Sequence, residues 1–95
     1  MTTTIWIDHQ RALVTAYPDT DRPTVRRMAR MPFETEDQFD ARVVDAVIDH
    51  PRVEVMGPVF ARTRFERVYV GVTHRPDRLH EPASEIDLGD ATLVG

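Results

Sequence analysis

The 95-residue chain contains no cysteine and no lysine, and it has one serine, Ser84. Without cysteine, disulfide bonds, thiolate zinc sites and a cysteine nucleophile are excluded. Ser84 lies close to a proline in a stretch that lacks the Gly-x-Ser-x-Gly motif, which argues against a serine hydrolase. The four glycines are widely spaced, so no glycine-rich phosphate-binding loop is present.

Long hydrophobic runs are also missing. No apolar stretch approaches the ~18 residues of a membrane-spanning helix. The N-terminus lacks the basic region and apolar core that mark a secretion signal. Because two separate cores would each be too small to fold unaided, residues 1–95 are expected to form one domain. We expect this domain to be cytoplasmic, with no membrane association.

The charges are unevenly distributed. The net charge is −4, which argues against broad, non-specific binding of nucleic acid. All twelve basic residues are arginine, whose planar guanidinium suits phosphate and carboxylate recognition. They concentrate at 22–30 and 62–78, whereas acids concentrate at 34–40 and 81–90. A local arginine-bearing face is therefore compatible with the negative net charge of the chain.

The first third of the chain has the pattern of a β-meander. Residues 3–8 and 12–17 are rich in β-branched and aromatic side chains, which favours strands. The intervening "DHQR" is short enough for a hairpin, in which Asp8 can bond nearby backbone. Turn residues at 18–23 then lead to a third strand at 24–31. These features predict three antiparallel strands.

A helix is predicted next. Thr35 and Gln38 have the spacing of a capping box, with two acids in the first turn. Apolar residues then recur at helical spacing from Phe39 to Ile48. Because Pro51 disfavours helical geometry in the residue before it, the helix is expected to end near 49–50.

The sequence pattern in the second half of the chain predicts its secondary structure less clearly. Residues 52–57 predict a strand that stops at Gly-Pro. Residues 58–73 fit a helix by the spacing of Ala61, Phe65 and Tyr69, but the alternation in "VYVGVT" also fits a hairpin strand. Residues 76–95 are expected to form a largely irregular C-terminal tail, with a possible short strand near "ATLV".

The frame Ile-Asp-His-x-Arg occurs twice, at 7–11 and at 48–52. The first copy is predicted to end a strand and form a hairpin. The second is predicted to end a helix, with Ile48 in the core and His50 at the helix C-terminus, where positive charge is favourable. Different local structures direct the side chains differently, so the two copies are not expected to be a duplicated motif.

The first copy belongs to a wider resemblance. "WIDHQRA" resembles the opening of a bacterial family related to the eukaryotic class-one release factor and to pelota, whose members are described as translational-machinery or host-attachment proteins. "QFDARVVDAV", "VEVMGP" and "ARTRF" are similar, in order, to later segments of that family. Together these stretches cover a little under a third of the chain.

The resemblance implies a single α/β domain in which a three-stranded antiparallel meander is followed by helix, strand and helix. This is the ribonuclease H-like arrangement of the middle domain of release factors, and it would make 58–70 helical. Gly-Gly-Gln is absent, so release-factor-type hydrolysis of peptidyl-tRNA has no residue to perform it. What the resemblance implies is a ribosome or RNA contact through six arginines: Arg11, Arg26, Arg27, Arg30, Arg62 and Arg64.

Two catalytic or metal-binding alternatives exist. Asp8, at the end of the first strand, occupies the position of a metal-binding carboxylate in ribonuclease H-like nucleases, and His9 could transfer a proton. A turn role for Asp8 fits the local sequence better. A second set of donors within eight residues could bind a divalent metal, although its spacing matches no common motif: His74, Asp77, His80 and Glu81.

Trp6 and Tyr69 admit two interpretations. Both are expected in the core, where strand and helix aromatics usually pack. If they were exposed beside arginines, they would form a platform for stacking bases.

We therefore expect a non-catalytic binding module without a cofactor, associated with the ribosome or RNA through an arginine-bearing face. A magnesium-dependent nuclease that uses Asp8 and a small structural or regulatory homodimer are the alternatives.

Overall fold

The computed structural model describes residues 1–19 and 21–80. The elements along the chain are β1 (Thr2–Ile7), β2 (Arg11–Tyr17), β3 (Thr24–Ala29), α1 (Glu36–Ala46), β4 (Val53–Met56), α2 (Val59–Thr73), a 3-10 turn (Pro76–Arg78) and β5 (Leu79–His80). The strand proposed near "ATLV" lies outside the described residues. Within the described part of the chain, no helix is long and apolar enough to cross a bilayer.

The five strands form one mixed sheet in the order β3-β2-β1-β4-β5. β1 pairs with β2 in antiparallel fashion, and β2 pairs with β3 in the same way. β4 lies parallel to β1, and β5 lies parallel to β4. The predicted single α/β domain, with an antiparallel meander before the helices, is confirmed.

The hydrophobic core lies on one face of this sheet. Alternate residues of the strands point to it, because successive side chains of a strand project to opposite sides. Ile5, Val14 and Val55 thereby join one buried cluster with residues of both helices. The helical members of the cluster are Phe39, Val43, Val44, Phe65 and Tyr69, and Val47, the residue that follows α1, joins them.

The α1 capping box is present as predicted. The Gln38 amide donates to Thr35 Oγ1 at 3.1 Å, and the Thr35 amide donates to Gln38 Oε1 at 2.9 Å. The helix ends at Ala46, earlier than expected, and residues 47–49 form a turn. Since the helical path stops there, Ile48 leaves the buried stripe and is 36% exposed, so its expected core position is wrong.

Residues 59–73 are helical, which resolves the ambiguity of the sequence. Ala61, Phe65 and Tyr69 are buried at successive turns of α2. A hairpin partner for β4 is excluded here because β4 and β5 are parallel and need a crossover connection, for which a helix is the usual form. Beyond α2, residues 76–80 form the 3-10 turn and β5, and the rest of the tail that was expected to be largely irregular, 81–95, lies outside the described residues.

The end of β4 is held close to the end of β1. Gly57 has a φ of +120°, and a Cβ at this position would collide with the carbonyl oxygen of Ile7. Only glycine combines this conformation with such close backbone approach. Gly57 therefore ends β4 and allows the chain to turn into α2.

The two Ile-Asp-His-x-Arg frames adopt different structures, as expected, but the second does not end a helix and His50 is not at a helix C-terminus, because α1 already ends at Ala46. The first forms the turn between β1 and β2. The second connects α1 to β4, and its His50 Nδ1 lies 2.6 Å from Oγ1 of the buried Thr3. This hydrogen bond fastens the α1–β4 connection to the start of β1.

A buried ion pair joins the two helices. Asp40 of α1 is fully buried, and Nε of Arg64 donates to its Oδ2 at 2.6 Å. Arg64 also forms an ion pair with Glu36. Burial raises the pKa of Asp40 above its usual value, although the adjacent Arg64 acts to lower it. The carboxylate therefore depends on Arg64 to remain charged in the core.

We expect Arg64→Met to lower the free energy of unfolding by about 3 kcal/mol, because it leaves Asp40 buried without its cation. Adding Asp40→Leu should restore most of this loss, since an apolar pair can replace a buried ion pair. Urea unfolding of the two variants and the wild type measures both effects. A double variant as unstable as the single one would contradict this account.

The loop between β3 and α1 is held by Glu34. Arg42 donates to both carboxylate oxygens of Glu34, from Nε at 2.9 Å and from Nη2 at 2.8 Å. The same Nη2 donates to the Ala29 carbonyl at 2.7 Å, and the Met31 amide donates to Glu34 at 3.0 Å. These interactions, Arg42 foremost, lower the pKa of Glu34 from 4.5 to about 2.

Because the folded state lowers this pKa, the stabilisation from Glu34 is complete above pH 4.5 and is lost as the pH falls towards 2. We expect Glu34→Gln to be less stable than the wild type at neutral pH and to approach it in acid. Urea midpoints over this pH range measure the difference. A difference that does not change with pH would show that the charge of Glu34 is not responsible.

Candidate nucleic-acid interface

The face of the sheet opposite the helices is the candidate site, and we call it the open face. Within residues 1–19 and 21–80, both helices pack on the other side, and no element covers this one. Strand register arranges its side chains in rows. The first row runs Met56, Trp6, Leu13 and Arg27, and the second runs Glu54, Thr4, Thr15 and Val25.

Trp6 lies at the centre of the first row and is 40% exposed. The expectation that it packs in the core is therefore wrong. Ile5 and Ile7, its neighbours on β1, are fully buried on the helix side, so alternation directs Trp6 to the open face. Tyr69 is fully buried in α2, so its expected core position is confirmed, and it takes no part in this surface.

A depression of about 430 Å³ adjoins Trp6. Arg11 and Arg27 line it, and neither guanidinium forms a hydrogen bond or ion pair with another described residue. An exposed indole thus lies beside two guanidinium groups, and that of Arg11 is also close enough to Asp8 for their charges to interact. The full lining of the depression is Trp6, Asp8, Arg11, Ala12, Leu13, Arg27, Met28 and Ala29.

Asp8 also borders the depression, but its carboxylate serves the β1–β2 turn. Its Oδ1 accepts hydrogen bonds from the amides of Gln10 and Arg11, both at 2.7 Å. Burial acts to raise the pKa of Asp8, but the two amides and the nearby charges of His9 and Arg11 lower it below its usual value. The turn role expected from the sequence is present.

The nuclease alternative requires further acids beside Asp8, and the candidates in the sequence are Asp45, Asp49, Asp87 and Asp90. Asp45 and Asp49 lie at the other end of the sheet, because they precede the start of β4 whereas Asp8 follows the end of β1. His9 is exposed. Asp87 and Asp90 lie outside the described residues. Among residues 1–19 and 21–80, no three acidic or histidine side chains are grouped as metal ligands would be.

The metal donors proposed at 74–81 are likewise not grouped as metal ligands within the described part of the chain. Asp77 forms an ion pair with Arg75 at 2.9 Å, and His74 ends α2 in a left-handed conformation. His80 lies on β5, with its Nε2 3.4 Å from Nη1 of Arg52. Glu81 lies outside the described residues. The described donors are thus engaged separately rather than brought to one point.

The six arginines expected to bind RNA do not share one face. Arg11 and Arg27 lie on the open face, and Arg26 is exposed beside Arg27 on the other side of the edge strand β3. Arg30 donates to the Glu34 carbonyl at 3.1 Å. Arg62 is half-buried on α2, and Arg64 is held by Asp40.

Among the residues of the open face that sequence analysis did not single out are Leu13, Tyr17 and Glu54. Leu13 and Glu54 follow from strand alternation once the buried side is known, because Ala12, Val14 and Val53 are their buried neighbours, and Tyr17 has the same parity as Leu13 along β2. The signal was present in the sequence. It could not be used without knowing which side the helices cover.

Comparison of the chain with protein-family models, curated proteins and solved structures gives no match in any of the three.

We expect Asp8→Asn to lose less stability at neutral pH than Asp8→Ala, because the Asn Oδ1 can accept the same two amide hydrogen bonds but lacks the charge that the folded state favours. Asp8→Ala should lower the free energy of unfolding by about 1 kcal/mol, since it removes both acceptors. Thermal unfolding of the two variants distinguishes the cases. If Asn were as destabilising as Ala, the charge of Asp8 rather than its turn geometry would matter.

Proposed function

We propose that this domain is a non-catalytic module that binds single-stranded RNA on the open face. The observation that supports this most is the exposed Trp6 beside Arg11 and Arg27. Bases stack on exposed aromatic rings, and guanidinium groups contact the phosphates or stack in turn. The acidic net charge is compatible with this proposal, because binding needs only a local positive surface.

We also propose that the domain is related to the ribonuclease H-like middle domain of release factors and that its RNA is ribosomal. The element order supports this, since three antiparallel strands are followed by helix, strand and helix as the resemblance implies. Arg26 extends the positive charge to the β3 edge.

Trp6 is the only tryptophan, so its fluorescence reports directly on the open face. We expect a single-stranded RNA of mixed sequence to quench this fluorescence, with an affinity that falls as salt is added, because phosphate contacts release counterions. Arg27→Glu should weaken binding at least fivefold. The matched control is Arg67→Glu, which makes the same charge change on an exposed residue of α2.

Equal weakening by both variants, or quenching that does not depend on salt, would contradict the proposal. Co-sedimentation with ribosomes at low and moderate salt tests the ribosomal target. Loss of co-sedimentation on changing Arg26 and Arg27 to Glu, but not on changing Arg67, is the expected result.

Self-association is a second candidate, because Trp6, Leu13 and Val25 give the open face an exposed apolar area. Such surfaces also form homodimers. A Trp6 emission maximum that shifts to the red on dilution, without RNA, would favour this candidate and would show that a second copy occupies the face.

A further inference from the structure

The open face carries a second exposed aromatic ring. Tyr17, at the end of β2, is 46% exposed and shares the parity of Leu13 along the strand. Leu13 is paired with Trp6, and Tyr17 follows it by four residues. At about 3.4 Å per strand residue, the rows of Trp6 and Tyr17 are roughly 13 Å apart along the sheet.

The row that contains Thr4 and Thr15 lies midway between the two rings. It is about 7 Å from each, roughly twice the 3.4 Å spacing of bases along a stacked strand. A nucleic acid whose bases are unstacked can therefore place one base on each row. Thr4 and Thr15 are half-buried and lack large side chains, so the middle row leaves room for a base between the aromatic rings.

Glu54 stands at one end of the middle row, beside Thr4. It is half-buried, and no described residue forms a hydrogen bond or ion pair with its carboxylate. Its neighbour on β5, His80, is directed instead to Arg52. The carboxylate is thus an unused acceptor on the surface where the middle base would lie.

The charges of the open face differ across the strands. Arg27 lies on β3, at one side of the rings, whereas Glu54 lies on β4, at the other. Arg22, which is exposed, precedes β3 at the end of the sheet where Tyr17 lies. An RNA phosphate would be attracted to Arg27 on β3 and repelled by the Glu54 carboxylate itself, although Arg52 lies beyond Glu54 near His80. With its phosphates along β3, the RNA would direct its base edges towards Glu54.

We propose that the open face binds three consecutive unpaired nucleotides along β1 and β2, with the outer bases on Trp6 and Tyr17, and that Glu54 selects a middle base with an exocyclic amino group. This inference rests on the proposed function, and it assigns a specificity-determining residue to the site. The phosphates lie along β3, where Arg27 contacts them.

The selection follows from hydrogen-bond chemistry. A carboxylate accepts readily from the N4 amino group of cytosine, and the amino groups of adenine and guanine offer comparable donors. Uracil has no amino group, and its one N–H lies between two carbonyl oxygens that repel a carboxylate. Uracil is therefore the base that Glu54 disfavours.

The test compares the RNA trinucleotides CCC and UUU, each of which presents the same base at all three positions however it is aligned on the face. They differ in the exocyclic amino group, which cytosine has and uracil lacks. Titration is followed by Trp6 fluorescence. We expect the wild type to bind CCC about tenfold more tightly than UUU. Glu54→Gln should reduce this ratio to within about twofold, because a glutamine amide can accept from cytosine and donate to uracil.

Tyr17→Ala tests the footprint. It should weaken the binding of CCC about fivefold or more, as expected when one stacked base is lost, but should leave the binding of cytidine monophosphate unchanged. Tyr17→Phe, which keeps the ring, is the matched control and should bind like the wild type. Circular dichroism of each variant verifies that it is folded.

The outcomes separate the two proposals. Quenching of Trp6 by both trinucleotides with equal affinity would overturn the role of Glu54 and leave the proposed function standing. Unchanged binding of CCC by Tyr17→Ala would overturn the three-nucleotide footprint alone. If no RNA quenches Trp6, the proposed function and this inference both fail.

Discussion

β1 is hydrogen-bonded on both edges, and the rest of the molecule is arranged around it. Its antiparallel pairing with β2 extends the sheet to one side, and its parallel pairing with β4 extends it to the other. The parallel pair requires a helical crossover, which supplies the cover for one face. Within the described residues, that cover forces Ile5 and Ile7 inwards and leaves Trp6 on the other side.

The polarity and charge of the open face change from strand to strand. Apolar rings and small hydroxyl side chains occupy β1 and β2, whereas Arg27 and Glu54 carry opposite charges on the flanking strands. The net charge of −4 does not reveal this arrangement. Some of the charged residues are paired within the domain instead of facing a partner, as Asp40 is with Arg64 and Glu34 is with Arg42.

Local features of the sequence were sufficient to predict the helices and strands, but not the tertiary contacts and burial of their side chains. The Thr35–Gln38 box predicted the start of α1, because a cap depends only on neighbouring residues. The ion pair between Arg64 and Asp40 could not be predicted, because the two residues lie 24 positions apart on different helices. Trp6 was placed in the core for the same reason: burial of a strand residue depends on which face the helices cover.

The order of the strands along the chain also has a kinetic consequence. Thr3 pairs with Val53, fifty positions later, whereas β1, β2 and β3 are joined by short turns. Distant contacts pay more loop-closure entropy and form more slowly than local ones. We expect the meander, which carries Trp6, Leu13 and Arg27, to form early, and docking of β4 to limit the folding rate. A nascent chain would then present most of the open face before it has a core behind it.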